Sequence, residues 1–294
     1  MISTKETSLA EAVQRLVPDG STVLMGAGLE ALIPFAAGYE LIRQKRRGLT
    51  LVAPISDMLF DVLIGAGCAA SVVAAWVGNV SAGSGYNFRR AVEEGSPLPI
   101  EVTDHSNFTI ALALQAAAMG VPYLPTRSTL GTDLLLRNPQ LKETTCPFTD
   151  EKLVAVAALA PDVAVLPVQR ADAEGNAHVL GNLGVIREAA RASRKVLVLA
   201  EEIVSPEEIR QDPNRTSIPG FLVSAVVHLP LGCHPSPCEG CYRRDHDFFH
   251  TYHQRSRTRQ GFLEWLDEWV LSLEDHEAYS RRLGSERIDS LRKS

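Results

Sequence analysis

Cysteine is scarce in this 294-residue chain, and the five present are an odd number, three of them crowded between positions 233 and 241. That usage fits reduced thiols better than a disulfide framework. Long apolar runs are missing: none approaches the ~18 residues a bilayer-crossing helix needs, so no membrane span is expected. Positive charge is also in short supply. A formal net charge of −6 argues against a chain built to neutralise phosphate backbones, and no nucleic-acid partner is expected. Arg243, Arg244, Arg255, Arg257 and Arg259 form a local basic exception. They read as a solvated or subunit-facing surface, or as a lure for an anionic small molecule. The opening stretch "MISTKETSLAEAVQRLVPDG" has no apolar core of secretory length, and Glu6, Glu11 and Asp19 are unlike a transit peptide. A cytoplasmic location is the expectation.

What is present is a globular composition, 45% hydrophobic and 22% charged, enough for one large core or two modest ones. Short apolar runs rich in β-branched residues recur: "STVLMGAG", "LTLVAP", "ASVVAAWV", "KLVAVAAL", "DVAVLPV", "KVLVLAEE" and "FLVSAVVHLP". They are continuous rather than alternating, which predicts strands buried on both faces. Helix signals lie between several of them. Pro34 opens one helix, Ser56 and Asp57 can cap the next, and Ser106 can cap "FTIALALQAAAMG", which Gly120 ends. Such alternation predicts an α/β fold, an open and largely parallel sheet with helices on both faces. Ligands then belong at the carboxyl ends of the strands. Residues 126–149 show weak periodicity and read as a long loop. Beyond residue 250, Phe262, Trp265, Leu266 and Trp269 repeat at helical spacing, a stripe that would dock on the domain or on a partner. The simplest division is an α/β domain over 1–250 with a C-terminal helical extension of the same domain over 251–294.

Four stretches could carry chemistry. Cys238-x2-Cys241 has zinc-knuckle spacing, with Cys233 before it and His246, His250 and His253 after it, but a second tight ligand pair is missing. The region reads as a Gly/Pro-punctuated loop, and no metal is expected. "DGSTVLMGAGLEALIP" runs a strand into Gly26 and Gly28, whose backbone could approach an anion closely. It lacks the third glycine and the later acidic residue of a dinucleotide fingerprint, so no nicotinamide cofactor is expected. The loop "GNVSAGSGYNF" offers Asn79, Ser81 and Ser84 as hydrogen-bonding groups among glycines, or it is only a polar turn. Ser106 and Asn107 could cap a helix or point across a crevice.

In these residues the chain resembles the A-type subunit of the class I (family I) CoA-transferases, glutaconate CoA-transferase in particular. Asp19-Gly20, Val23-Leu24-Met25, Gly26 and Pro34 fall in register with that subunit's N-terminal signature, although Ala27-Gly28 stand for its Gly-Phe and Leu32 for a later glycine. The likeness extends along nearly the whole chain and is densest in "DVAVLPVQRADAEGN", "LAEEIVSPEEIRQDP", "IPGFLVSAVV", "GCHPSPCEGCY" and "LEDHEAYSRRLGSERI". His234-Pro235-Ser236, Cys238 and Gly240 match a loop of the family that is not a metal site; Cys233 and Cys241 look like additions of this chain.

The resemblance implies a hetero-oligomer with a B-type CoA-transferase subunit, handling acyl-CoA and a carboxylic acid, dicarboxylic or branched. Coenzyme A is then a substrate, and no cofactor is held permanently. It also implies that the nucleophile is a glutamate in a Ser-Glu-Asn-Gly-like motif on the partner. No such motif occurs here, so no catalytic residue is assigned to this chain. Glu30, as a helix-start charge, and the strand-end pair Glu201-Glu202, as capping or ion-pairing groups, are the nearest carboxylates. By the resemblance a serine near the "GNVSAGSG" loop faces the acid, leaving Asn79 and Ser81 both open. Gly26, Gly28, Asn79, Ser81, Ser106 and Asn107 are the predicted substrate-binding set. Competing readings are an acyl-CoA hydrolase, whose relatives carry a glutamate near the position of Asn107, a decarboxylase, which would differ mainly in the partner, and a non-catalytic ligand-sensing domain.

Overall fold

The structure is a computed structural model and describes residues 4–292. The first three residues of the opening stretch, where a leader would begin, lie outside the described residues.

The centre is a nine-stranded sheet. Seven of its strands run parallel: β1 (Thr22–Met25), β2 (Leu49–Ile55), β3 (Ala69–Trp76), β4 (Glu101–Asp104), β5 (Val163–Ala171), β6 (Lys195–Ile203) and β7 (Ala225–His228), in the order β4-β3-β2-β1-β5-β6-β7. Two short strands, Ala177–His178 and Thr216–Ile218, add antiparallel beyond the end of β5. Strand order reverses between β1 and β5, and sheets of this kind bind ligands at the carboxyl ends of the strands beside such a reversal.

Both faces of the inner strands β1, β2, β5 and β6 are buried, as the continuous apolar runs require. Val23 and Met25 point to one face, with the helices Phe35–Arg43 and Met58–Gly65; Leu24 points to the other, with Asn107–Met119 and Ile186–Ala192. The caps act as expected. Asp57 accepts from the Met58 N–H, Ser106 forms a capping box with Thr109, and Gly120 ends its helix in the left-handed conformation at φ 71°. Ser56 is buried but does not cap.

Two segments differ from the sequence reading. "KLVAVAAL" supplies Lys152–Ala157, which belongs not to the parallel sheet but to the centre of a separate three-stranded antiparallel sheet with Tyr123–Thr126 and Leu141–Thr145. Its burial alternates, and Val154 and Val156 pack with Ala113 of the adjoining helix. Residues 126–149 therefore hold a helix, Asp133–Arg137, and a strand rather than a featureless loop. Edge strand β4 was not legible in the sequence because it is short and mostly exposed.

The C-terminal helices fold onto the first face. His246–Ser256 and Arg259–Leu266 bury Phe248, Phe249, Tyr252, Phe262 and Trp265 in the same cluster as Val23 and Leu51, so the Trp265 stripe docks on the domain itself. Among the described residues no helix is long and apolar enough to cross a membrane.

Candidate acid-binding site

The loop after β1 is shaped by close backbone approach. Gly26 has φ +100°, and a Cβ there would meet the Ile55 carbonyl oxygen at 2.5 Å. A Cβ on Gly28 would lie 2.6 Å from the Ala31 oxygen. From outside, the Val185 N–H donates to the Ala27 carbonyl (2.8 Å), and the Leu32 N–H donates to the Pro237 carbonyl (3.1 Å). The Cys/His-rich segment thus has a structural role, bracing the glycine loop.

Its histidines are divided among separate jobs. His234 is buried, with Nε2 2.9 Å from Asp245 Oδ2 and Nδ1 2.6 Å from the Tyr279 hydroxyl. His253 packs against Tyr86 with the rings tilted and their centroids 4.8 Å apart, and His246 approaches Ser81. Cys233 and Cys238 are buried and Cys241 half-buried; the Cys233 contact and burial push the Cys238 thiol up against the pull of Cys241, and the Cys238 contact and burial push the Cys241 thiol up. Such thiols are poor nucleophiles. Among the described residues no group of three or more His, Cys, Asp or Glu side chains could hold a metal ion.

Asn79 and Ser81, left open as alternatives, lie very differently. Asn79 is buried and uses its whole amide internally: Nδ2 donates to the Phe249 carbonyl (2.8 Å), and Oδ1 accepts from the Ser81 N–H (3.1 Å). Ser81 sits half-buried on the outer side of the same turn. Its Oγ is 3.3 Å from His246 Nδ1 and accepts from Arg244 Nη1 at 3.3 Å.

Arg244 draws this side of the sheet together. Nη1 also donates to Asp57 Oδ2 (2.5 Å), Nη2 donates to the Glu30 carbonyl (2.8 Å), and the guanidinium lies 4.5 Å from the centre of the Phe249 ring. One side chain therefore touches the loops that leave β1, β2 and β3. Asp57, fully buried with φ 49°, accepts from the N–H groups of Met58 (3.0 Å) and Val80 (2.9 Å) as well. Burial raises the Asp57 carboxyl pKa, against the pull of Arg244 and those two N–H groups.

The other predicted residues fall apart from this cluster. Ser106 spends its hydroxyl on the Thr109 N–H (3.0 Å), while Asn107 is exposed at the start of that helix. The Glu30 side chain is exposed and lies in the loop ahead of the helix that begins at Phe35, so it is not a helix-start charge. Glu201 is enclosed by the Tyr242 hydroxyl (2.6 Å) and the Leu231 N–H (2.8 Å), both of which donate to it, and burial raises its pKa against them. Glu202 pairs with Arg170 at 2.8 Å on the surface. Both glutamates line a cavity of about 500 Å³ at the carboxyl ends of β5 and β6 that shares no lining residue with the Ser81 cluster. Arg244, Asp57 and His246 were missed as site residues. Arg244 read as part of a basic surface, Asp57 as a cap and His246 as a weak metal ligand.

The glycine loop leaves β1 at the strand reversal of a seven-strand parallel core, and the serine held on Arg244 lies after β3, two strands away. Comparison with known proteins names the class. Residues 6–229 match the family model for coenzyme A transferase. The chain is 40% identical, over 94% of its length and 97% of the relative's, to the A-type subunit of 3-oxoadipate CoA-transferase from Pseudomonas knackmussii. It is 32% identical to the A-type subunit of glutaconate CoA-transferase from Acidaminococcus fermentans, over 98% of this chain and 94% of that one. The crystal structure of glutaconate CoA-transferase from that organism superimposes with a TM-score of 0.94, covering 99% of this chain and 96% of the other. A structure of the decarboxylase AibA/AibB follows at a TM-score of 0.77 and 27% identity, over 90% of this chain and 99% of that one. The chain belongs to the coenzyme A transferase family, as a class I subunit of the A type. It works as an enzyme together with a partner subunit, on acyl-CoA and acid substrates.

Proposed function

We propose that this chain forms the acid-binding half of a CoA-transferase whose nucleophilic glutamate is carried by the B-type subunit, and that its acid is a dicarboxylate. The observation that carries this reading is the placement of Ser81: half-buried at the carboxyl end of β3, with Oγ beside Arg244 and His246. The relatives named for 3-oxoadipate and glutaconate, both dicarboxylates, support the substrate class. Large apolar side chains near the same edge support a partner there: Trp76, Val80 and Val102 are each 37% exposed and Phe108 is 53% exposed. Neither glutamate of the strand-end pair is placed as a free nucleophile, since Glu201 is enclosed and Glu202 is ion-paired.

In the proposed reaction the partner's carboxylate attacks the acyl-CoA thioester carbon, forming a mixed anhydride and releasing CoA thiolate. The thiolate attacks the glutamyl carbonyl of the anhydride, freeing the first acid as its carboxylate and leaving a glutamyl thioester. The acceptor carboxylate repeats the two steps in reverse, so CoA moves and no water is consumed. Gly26, Gly28 and Ser81 would wall the acid, with Asn79 fixing the turn and Ser106 and Asn107 at the neighbouring strand end.

The test is CoA exchange between an acyl-CoA and a free dicarboxylic acid. The chain alone should be inactive, and the complex with its B-type partner should turn over. Turnover by the lone chain, or a complex that only hydrolyses or decarboxylates the thioester substrate, would overturn the proposal.

A further inference from the structure

We propose that Arg244 is a positioning residue of the acid pocket, holding the Ser81 hydroxyl so that its proton faces the incoming carboxylate; this rests on the reading that Ser81 meets the acid. A guanidinium can only donate. Because Arg244 Nη1 donates into Ser81 Oγ at 3.3 Å, the serine oxygen acts there as acceptor and its own proton must point elsewhere. The surroundings leave two directions, towards His246 Nδ1 at 3.3 Å or outward. A carboxylate arriving from outside is a stronger acceptor than an imidazole nitrogen and takes that proton.

Arg244 is itself held at other points, by Asp57 Oδ2 (2.5 Å), the Glu30 carbonyl (2.8 Å) and the Phe249 ring (4.5 Å). Its side chain is only 12% exposed and its charge is matched by a buried carboxylate. It is therefore poorly placed to clamp the acid directly as a second ionic partner. It acts through Ser81. Lysine cannot reproduce this, because a single ammonium lacks the planar fork that reaches the Glu30 carbonyl with one nitrogen and Asp57 and Ser81 with the other.

The experiment is a double-mutant cycle on the reconstituted complex, reading kcat/KM for the varied acid and thermal melts in parallel. Ser81→Ala should lose about tenfold or more, the scale of one hydrogen bond to a charged group. Arg244→Lys should lose a similar factor in the wild-type background and little or nothing further in the Ser81→Ala background, whereas its effect on the melting temperature should be the same in both. Arg244→Gln provides a second, uncharged variant with the same expected pattern, should the lysine protein fold poorly. If Ser81→Ala keeps wild-type kcat/KM, the acid-site reading fails and this inference with it. If Ser81→Ala is impaired but the arginine variants multiply its loss, or leave activity unchanged in the wild-type background, the acid site stands and the positioning role is overturned.

Discussion

The carboxylate of Asp245 is gripped from two sides, by His234 Nε2 at 2.9 Å and by Arg287, whose Nε and Nη2 donate at 2.6 and 2.7 Å from the last described helix. With Tyr279 on the other imidazole nitrogen, this chain of contacts ties the Cys/His-rich loop to the C-terminal extension. Arg244 and His246 flank Asp245 in sequence, so the network also steadies the two side chains that contact Ser81.

The first prediction concerns acid stability. Burial would raise the Asp245 pKa, but the His234 and Arg287 hydrogen bonds outweigh it and the net shift is downward. Burial lowers the His234 pKa, so the imidazole is neutral, with Nε2–H donating to Asp245 and Nδ1 accepting from Tyr279. A depressed folded pKa means stability that is full above the unfolded value and lost as pH falls through the folded one. Both groups therefore act in one direction: the protein should weaken as pH drops below about 6.5, through His234, and again below about 4, through Asp245. Asp245→Asn should cost about 3 kcal/mol at pH 7 and flatten the lower limb. Chemical denaturation from about pH 3 to 8 checks this, and identical acid limbs for the two proteins would count against the network.

The glycine loop gives a second. A methyl group on Gly26 would meet the Ile55 carbonyl at 2.5 Å, in a backbone conformation with φ +100°. Gly26→Ala should therefore cost about 1–3 kcal/mol and displace the loop. Activity of the complex should fall further than the melting temperature alone explains. An alanine variant with unchanged kcat would mean that the loop does not shape the site.

Trp265 anchors the C-terminal helices, with its ring 4.8 Å from Tyr252 and 5.9 Å from Phe248, centre to centre. Trp265→Ala should destabilise the whole domain by about 3–5 kcal/mol in a single transition. Two separate transitions in calorimetry would show instead that the extension unfolds by itself.

The clustered cysteines supply the last prediction. Protein purified without a metal-affinity tag should contain far less than one zinc per chain, and Cys241→Ser should leave both metal content and activity unchanged. The basis is that, among the described residues, no group of three or more His, Cys, Asp or Glu side chains could hold a metal ion. About one zinc per chain, lost when Cys238 and Cys241 are changed together, would overturn it.

Much of this was written locally. Continuous apolar runs such as "KVLVLA" determined strands buried on two faces, because each residue's environment follows from its near neighbours and the period of the pattern. Ser106 and Gly120 marked the limits of their helix for the same reason: a cap is a contact within a few residues. The resemblance carried by the second half of the chain already pointed to the family. What no local pattern held was the assembly of Asp57, Ser81 and Arg244. Those residues are distant in sequence and meet only because parallel strands bring their carboxyl ends side by side and a returning C-terminal segment lays an arginine across three of them. The fate of "KLVAVA" was likewise tertiary. An apolar hexapeptide can sit in a parallel or an antiparallel sheet, and its packing against the helix at Ala113 decided for the second.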